Sequence, residues 1–254
     1  MSFGICCVPV SPLRAEASHR SEIVSQLLFG EQCVITEHGK DNWIRIKCNY
    51  DQYEGWCQQA QISVLQSEIS GVTRLTGDWV SVINYNGTPM YVPYGSQIPG
   101  LTDGLARWNG DLIRYEGNLI NAGAIPFDET GIRQIGFPFI NSSYLWGGKS
   151  IFGIDCSGFC QTVYKFFNIP LLRDASQQAT QGENIGFLQE ARCGDLAFFD
   201  NADGRITHVG ILLNEREILH ASVKVRIDRI DNMGIIHSET GVRTHQLRII
   251  KRYC

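Results

Sequence analysis

Tyr144-Leu-Trp-Gly-Gly-Lys-Ser-Ile-Phe-Gly-Ile-Asp-Cys-Ser-Gly-Phe159 is the stretch on which the reading of this chain turns. Gly147, Gly148 and Gly153 suit an irregular approach, and Phe159, Cys160, Val163 and Phe167 then recur at helical spacing, so Cys156 is expected in the first turn of a helix. A helix N-terminus carries partial positive charge and free backbone N–H groups. Both are expected to lower the thiol pKa and to hold a developing oxyanion, which makes Cys156 a candidate nucleophile. Downstream, Thr207-His-Val-Gly210 and Leu219-His-Ala221 supply two histidines. His208 lies in an alternating, strand-like run and is the candidate general base. His220 follows beyond the turn-like Asn214-Glu-Arg216, so two neighbouring antiparallel strands could present both rings on one face. Cys156, His208 and His220 are also a donor set that zinc can use in principle, whereas a cysteine at a helix start favours covalent chemistry.

Outward from this stretch the pattern changes twice. Residues 130–139, 156–167 and 175–182 read as helices; 195–199, 206–213, 217–221, 225–230 and 244–250 read as strands. Helices followed by an antiparallel sheet indicate an α+β domain over 125–254. Before it, short β-like runs at 5–10, 31–37, 43–47, 55–57 and 62–65 predict a small barrel over 1–66, with one helix-compatible stretch at 18–30. Runs at 79–84, 88–92 and 111–115 predict a second barrel over 67–124.

Composition excludes several classes. With 43% hydrophobic and 19% charged residues and a net charge of −4, the chain has no basic patch for nucleic acid and no expected membrane partner. The start lacks a basic segment followed by an apolar one, which gives a cytoplasmic expectation, or an exported protein if a leader has been removed. Nine cysteines match neither a zinc framework nor a compact disulfide framework, so free thiols packed as small hydrophobes are expected. No cofactor is expected.

Five ordered motifs carry a resemblance: Tyr144-x-Trp146-Gly-Gly, Asp155-Cys-Ser-Gly-Phe159, Leu172-Arg-Asp-Ala-Ser-Gln-Gln178, Cys193-Gly-Asp-Leu-x-Phe-Phe199, and His208-Val-Gly-Ile with His220-Ala-Ser222. Together they resemble the NlpC-type papain-like cysteine peptidases of bacterial cell-wall metabolism. The preceding β segments resemble bacterial SH3-like domains, chiefly through Tyr53-Glu-Gly-Trp56. The whole arrangement is most similar to the γ-D-glutamyl-L-diamino-acid endopeptidases that carry two SH3-like domains. The resemblance implies a Cys156–His208–His220 triad in which His220 meets the Nδ1 side of His208 and fixes its tautomer.

It also implies a substrate: a murein peptide cut between γ-D-glutamate and an L-diamino acid. The implied binding set is Asp155, Ser157, Tyr144, Trp146 and Arg173, with Tyr53 and Glu22 from the first barrel. Asp155, Glu22 and Tyr53 would hold a free α-amine, although Asp155 could equally cap the helix. Arg173 would meet the glutamate α-carboxylate, and Tyr144 would add a phenolic donor to the oxyanion site. Ala175 departs from the serine that related sequences often place there. A monomer acting on freed peptides is expected. The alternatives are an amidase or acyltransferase on the same fold, or a non-catalytic peptidoglycan-binding protein.

Overall fold

The computed structural model describes residues 2–254. They form two compact units. One comprises the described residues up to Ala124 together with Trp146–Phe152; the other comprises Ile125–Leu145 and Gly153–Cys254.

In the first unit, seven strands make one antiparallel sheet: β1 (Ser2–Cys6), β2 (Val10–Arg14), β3 (Ile23–Leu28), β4 (Gln32–His38), β5 (Trp43–Cys48), β6 (Glu54–Gln58) and β7 (Ile62–Leu65). Their order is β3-β2-β6-β5-β4-β1-β7. Alternating side chains close on a core in which Leu13, Leu27, Ile44 and Ile46 pack with the thiols of Cys6, Cys33, Cys48 and Cys57. The helix-compatible stretch at 18–30 forms no helix. Its second half is β3, because Ile23 and Val24 favour extended backbone and residues 25–28 are buried while pairing with β2, Val10 opposite Leu28.

The chain continues through β8 (Arg74–Thr76), β9 (Val80–Tyr85), β10 (Thr88–Pro93), β11 (Leu105–Trp108), β12 (Asp111–Arg114) and β13 (Leu119–Asn121). These form a four-stranded sheet, β10-β9-β12-β11, and a β13-β8 pair. Ile5, Phe29 and Leu65 of the first sheet share a core with Ile83, Val92 and Trp108 of the second. Residues 146–152, which carry β14 (Lys149–Ser150), belong to this unit as well. The Lys149 amide donates to Gln26 Oε1 at 2.8 Å, and its buried ammonium lies 3.3 Å from Glu31 Oε2. Gly147 has φ +74, and a Cβ there would lie 2.3 Å from the Ile23 carbonyl oxygen, so only glycine fits this approach.

The second unit begins with α1 (Glu129–Gly136), capped by Asp128, and β15 (Gly153–Ile154). It continues through α2 (Cys156–Phe166), α3 (Ala175–Gln178), β16 (Glu183–Ile185), β17 (Leu196–Asp200), β18 (Ile206–Leu212), β19 (Glu217–Ser222), β20 (Lys224–Asp231), β21 (Gly234–Ile236) and β22 (Arg243–Arg252). The strand order is β16-β22-β17-β18-β19-β20-β21, with β21 also paired to β22. The expected antiparallel sheet therefore closes on itself as a six-stranded barrel, with β16 outside the ring. The short β21, unmarked in the sequence reading, closes it by pairing on both sides. Helix α3 is half the expected length, and strands far outnumber helices. Phe199, Leu212, Ile218, Ile230 and Ile235 belong to one buried cluster of this barrel. Helix α2 is buried along its whole length, apolar on most sides as a central helix must be. No helix among the described residues is long and apolar enough to cross a membrane.

Candidate active site

Helix α2 starts at Cys156 for a local reason. Asp155 is extended, and its Oδ1 accepts the Gly158 amide at 2.7 Å, satisfying one of the N–H groups that a helix start leaves open. Cys156 is the first helical residue, so its own N–H has no partner within the helix. The Asp155 carboxylate is further held by Arg173, with Nη2 to Oδ2 at 2.6 Å and Nη1 to Oδ1 at 3.1 Å. Arg173 Nη1 also donates to Ser157 Oγ at 3.0 Å. Both partners are buried, so this is a two-point ion pair screened little by water. The structure thus brings Asp155, Ser157 and Arg173 together, although the sequence had suggested an amine for Asp155 and a carboxylate for Arg173.

Burial, followed by the neighbouring Asp155 charge, pushes the Cys156 thiol up to about 12. The amides of Val209 and Ser157 and the Arg173 charge work in the other direction without prevailing. The expectation of a thiol lowered by its helix start is overturned: removing a thiolate from water costs more than the helix terminus returns. Tyr144 is half-buried on the same side; burial first, then the Cys156 and Asp155 charges, raise its phenol.

The histidines come from the barrel. Gly210 on β18 stands opposite His220 on β19, and His208 lies two residues from Gly210 on the same face. His208 Nε2 and His220 Nδ1 are 2.8 Å apart. A Cβ on Gly210 would come within 2.7 Å of the His220 Cβ, so a side chain between the two rings would push them apart. His208 therefore uses Nε2, and not the expected Nδ1, toward its partner, so Nδ1 is not engaged by His220. Burial first, and then His220 and His245, hold His208 well below its usual range, which favours the neutral ring. Burial also lowers His220, against the opposing pull of Asp228.

Two residues in this cluster escaped the sequence reading. Asp228 on β20 places Oδ2 3.1 Å from His220 Nε2, and His245 on β22 stacks on His208 with ring centroids 4.1 Å apart. The only prior signal for Asp228 was a carboxylate two residues before the apolar Ile230 in a strand-like run. Because His208 and Asp228 take both nitrogens of His220, that ring has no donor left for zinc. No group of three or more His, Cys, Asp or Glu among the described residues is placed to hold a metal ion.

The remaining expected binding residues lie in the first unit. Trp146 donates through Nε1 to Glu22, which is exposed. Tyr53 is half-buried, its amide donating to Asp51 Oδ1 at 3.0 Å and its carbonyl accepting from Cys48.

Comparison with known proteins gives two family matches. Residues 141–244 match the NlpC/P60 family, and residues 13–62 match the bacterial dipeptidyl-peptidase Sh3 domain. A γ-D-glutamyl-L-lysine dipeptidyl-peptidase of Bacillus cereus is 24% identical over 90% of this chain and 77% of its own length. Its namesake from Bacillus subtilis is 28% identical over 71% of this chain and 78% of its own length. The crystal structure of an NlpC/P60 family protein from Bacillus cereus superposes over 99% of both chains with a TM-score of 0.81 at 19% identity.

Proposed function

We infer that this chain, which carries an NlpC/P60 domain behind a bacterial SH3 domain, is a cysteine endopeptidase of cell-wall peptides. The observation that carries the reading is the hydrogen-bonded His208–His220 pair, built on adjacent strands in the matched region that also holds the helix-start cysteine.

The reaction begins from a neutral thiol and a neutral imidazole. His208 Nδ1 takes the Cys156 proton as Sγ attacks the amide carbonyl, whose π electrons move to oxygen. The Cys156 N–H, which as the first helical residue has no partner within its helix, and the Tyr144 hydroxyl are the proposed donors to that oxyanion. Collapse of the intermediate breaks the C–N bond, and the leaving amine receives the proton from His208. Water then attacks the thioester, giving its proton to His208, and the acid is released as the proton returns to sulfur.

The proposed bond is that between γ-D-glutamate and the L-diamino acid of murein peptides with a free N-terminal L-alanine, cut in peptide recycling. Support comes from the relatives' names, since a dipeptidyl-peptidase removes two residues from a free amino end. In this reading Asp155, Glu22 and Tyr53 recognise the amine, while Arg173, Ser157 and Trp146 line the peptide. Asp155 and Arg173 would then act as the charged pair they already form. We further propose that residues 67–124 are a second SH3-like barrel, that the peptidase half is of α+β class, and that the protein works as a cytoplasmic monomer. The nine free thiols favour a reducing compartment.

The test is mass spectrometry of products from L-Ala-γ-D-Glu-diaminopimelate, its lysine analogue and their N-acetylated forms, with the native protein and Cys156→Ala. Release of L-Ala-D-Glu from free-amine peptides, dependent on Cys156, is the expected result. Equal cleavage of acetylated peptides would remove the amine requirement, and no cleavage of any of them would remove the endopeptidase.

A further inference from the structure

We propose that Asp228 is a positioning residue for the reaction inferred above: as a carboxylate able only to accept, it sets the tautomer of His220 and, through it, that of His208. Asp228 Oδ1 accepts the Ser238 amide at 2.8 Å and Arg226 Nη2 at 3.0 Å. Oδ2 lies 3.0 Å from Arg226 Nε and 3.1 Å from His220 Nε2. Burial works to raise this carboxyl, but the hydrogen bonds from His220, Ser238 and Arg226 outweigh it and hold it well below the usual carboxylate range. An ionised carboxylate has no proton to give, so the proton in the contact with His220 is on Nε2.

The rest follows ring by ring. A neutral imidazole has one N–H, so His220 Nδ1 carries a lone pair. At 2.8 Å from that lone pair, His208 Nε2 must be the donor. The single N–H of His208 is thereby spent, and its Nδ1 is left as the acceptor a thiol proton needs. Register places all three groups on one face of the barrel: His220 is two residues from Ile218, which pairs with Asp228, and Gly210, opposite His220, is two from His208. Replacing the carboxylate by an amide donor reverses every bond. His220 Nε2 would accept, its Nδ1 would donate to His208 Nε2, and the only N–H of His208 would be on Nδ1, where the reaction needs an acceptor.

The experiment is ¹⁵N NMR of histidine-labelled protein, with His208 and His220 assigned, beside steady-state kinetics on L-Ala-γ-D-Glu-diaminopimelate. The native protein is expected to show both rings protonated at Nε2, and Asp228→Glu to keep that pattern. Asp228→Asn is expected to show both rings protonated at Nδ1, with kcat lower by about 10³- to 10⁴-fold, the scale set by a wrong tautomer in comparable catalytic relays, and KM nearly unchanged. A native His208 protonated at Nδ1 would overturn the proposal, as would Asp228→Asn losing kcat with both tautomers intact. Should Asp228→Asn fail to fold, the native and Asp228→Glu spectra still decide. Native Nε2 protonation in a protein that cleaves no murein peptide would uphold the relay while removing the functional reading on which it rests.

Discussion

Around Cys156 the site is assembled from neighbours in sequence. Asp155 caps the helix, Ser157 follows Cys156, and Arg173 comes only eighteen positions after Asp155, although the Val209 amide also reaches the thiol from the barrel. Around His208 nothing is local: His220, Asp228 and His245 come from three other strands, and each contact exists only because the barrel closes in its particular register. Both regions are buried, yet they push their groups in opposite senses, the thiol up and the imidazoles down. Burial penalises whichever form is charged, so one physical cause keeps both reactants neutral. A local region tolerates change by repairing its own turn, whereas a region made of register fails when any strand shifts.

The sharpest challenge to this contrast is removal of the base. His208→Ala should lower kcat by about 10⁴-fold or more with the fold retained, measured as product release alongside circular dichroism. A loss below about tenfold would mean that the barrel side contributes no proton transfer. Next comes Arg173→Met, which removes the guanidinium charge that faces the buried Asp155 carboxylate. A loss of about 3–5 kcal/mol in unfolding free energy is expected, read by denaturant titration; a cost near that of an exposed pair would show that solvent reaches the helix start.

Gly210→Ala tests register directly. Its new Cβ forces His220 to shift, with an expected cost of about 1–3 kcal/mol in stability and a kcat loss larger than that of an alanine placed at the exposed Gly204. Unchanged turnover would show that the two rings do not depend on the bare strand between them.

The smallest effect is a division of pH dependence. His208, His220 and His245, the last lowered by burial to about 4, are harder to protonate in the folded state than in the unfolded one. Their stability contribution is complete above about 6.5 and lost as pH falls toward 4. Cys156 is raised from 9.0 to about 12, so its contribution is present below 9 and lost as pH climbs toward 12. Thermal denaturation across this range should show His245→Phe flattening the acid limb and Cys156→Ala flattening part of the alkaline limb. Other raised groups, among them Cys160 and Cys193 of the second unit and the buried thiols of the first, carry the remainder. Acid and alkaline limbs that respond to neither variant would break the assignment.

This division of the site explains what could be read in advance. The helix of Cys156 was legible because its signals, an acidic cap followed by 3.6-residue spacing, lie within a dozen positions. The pairing of His208 with His220 was legible because one short turn joins their strands. Asp228 and Arg226 share an alternating strand in which acid and base look like solvent-facing residues until the barrel buries them. His245, in a strand recognised from its pattern, gave no hint that its ring covers the base. The glycine-rich segment 146–152 read as an approach loop, yet its buried Lys149 is satisfied by Glu31 and Gln26, more than a hundred positions away.

By itself the sequence placed Cys156 at a helix start, His208 and His220 on neighbouring strands, and the motifs that resemble the NlpC-type peptidases, because short-range spacing encodes helix starts and strand phase. Only the tertiary structure decided the neutral state of the thiol, the partnership of Asp155 with Arg173, the Nε2 geometry of His208 and the place of Asp228. Those depend on burial and strand register, which arise when residues far apart in the chain exclude water from one another.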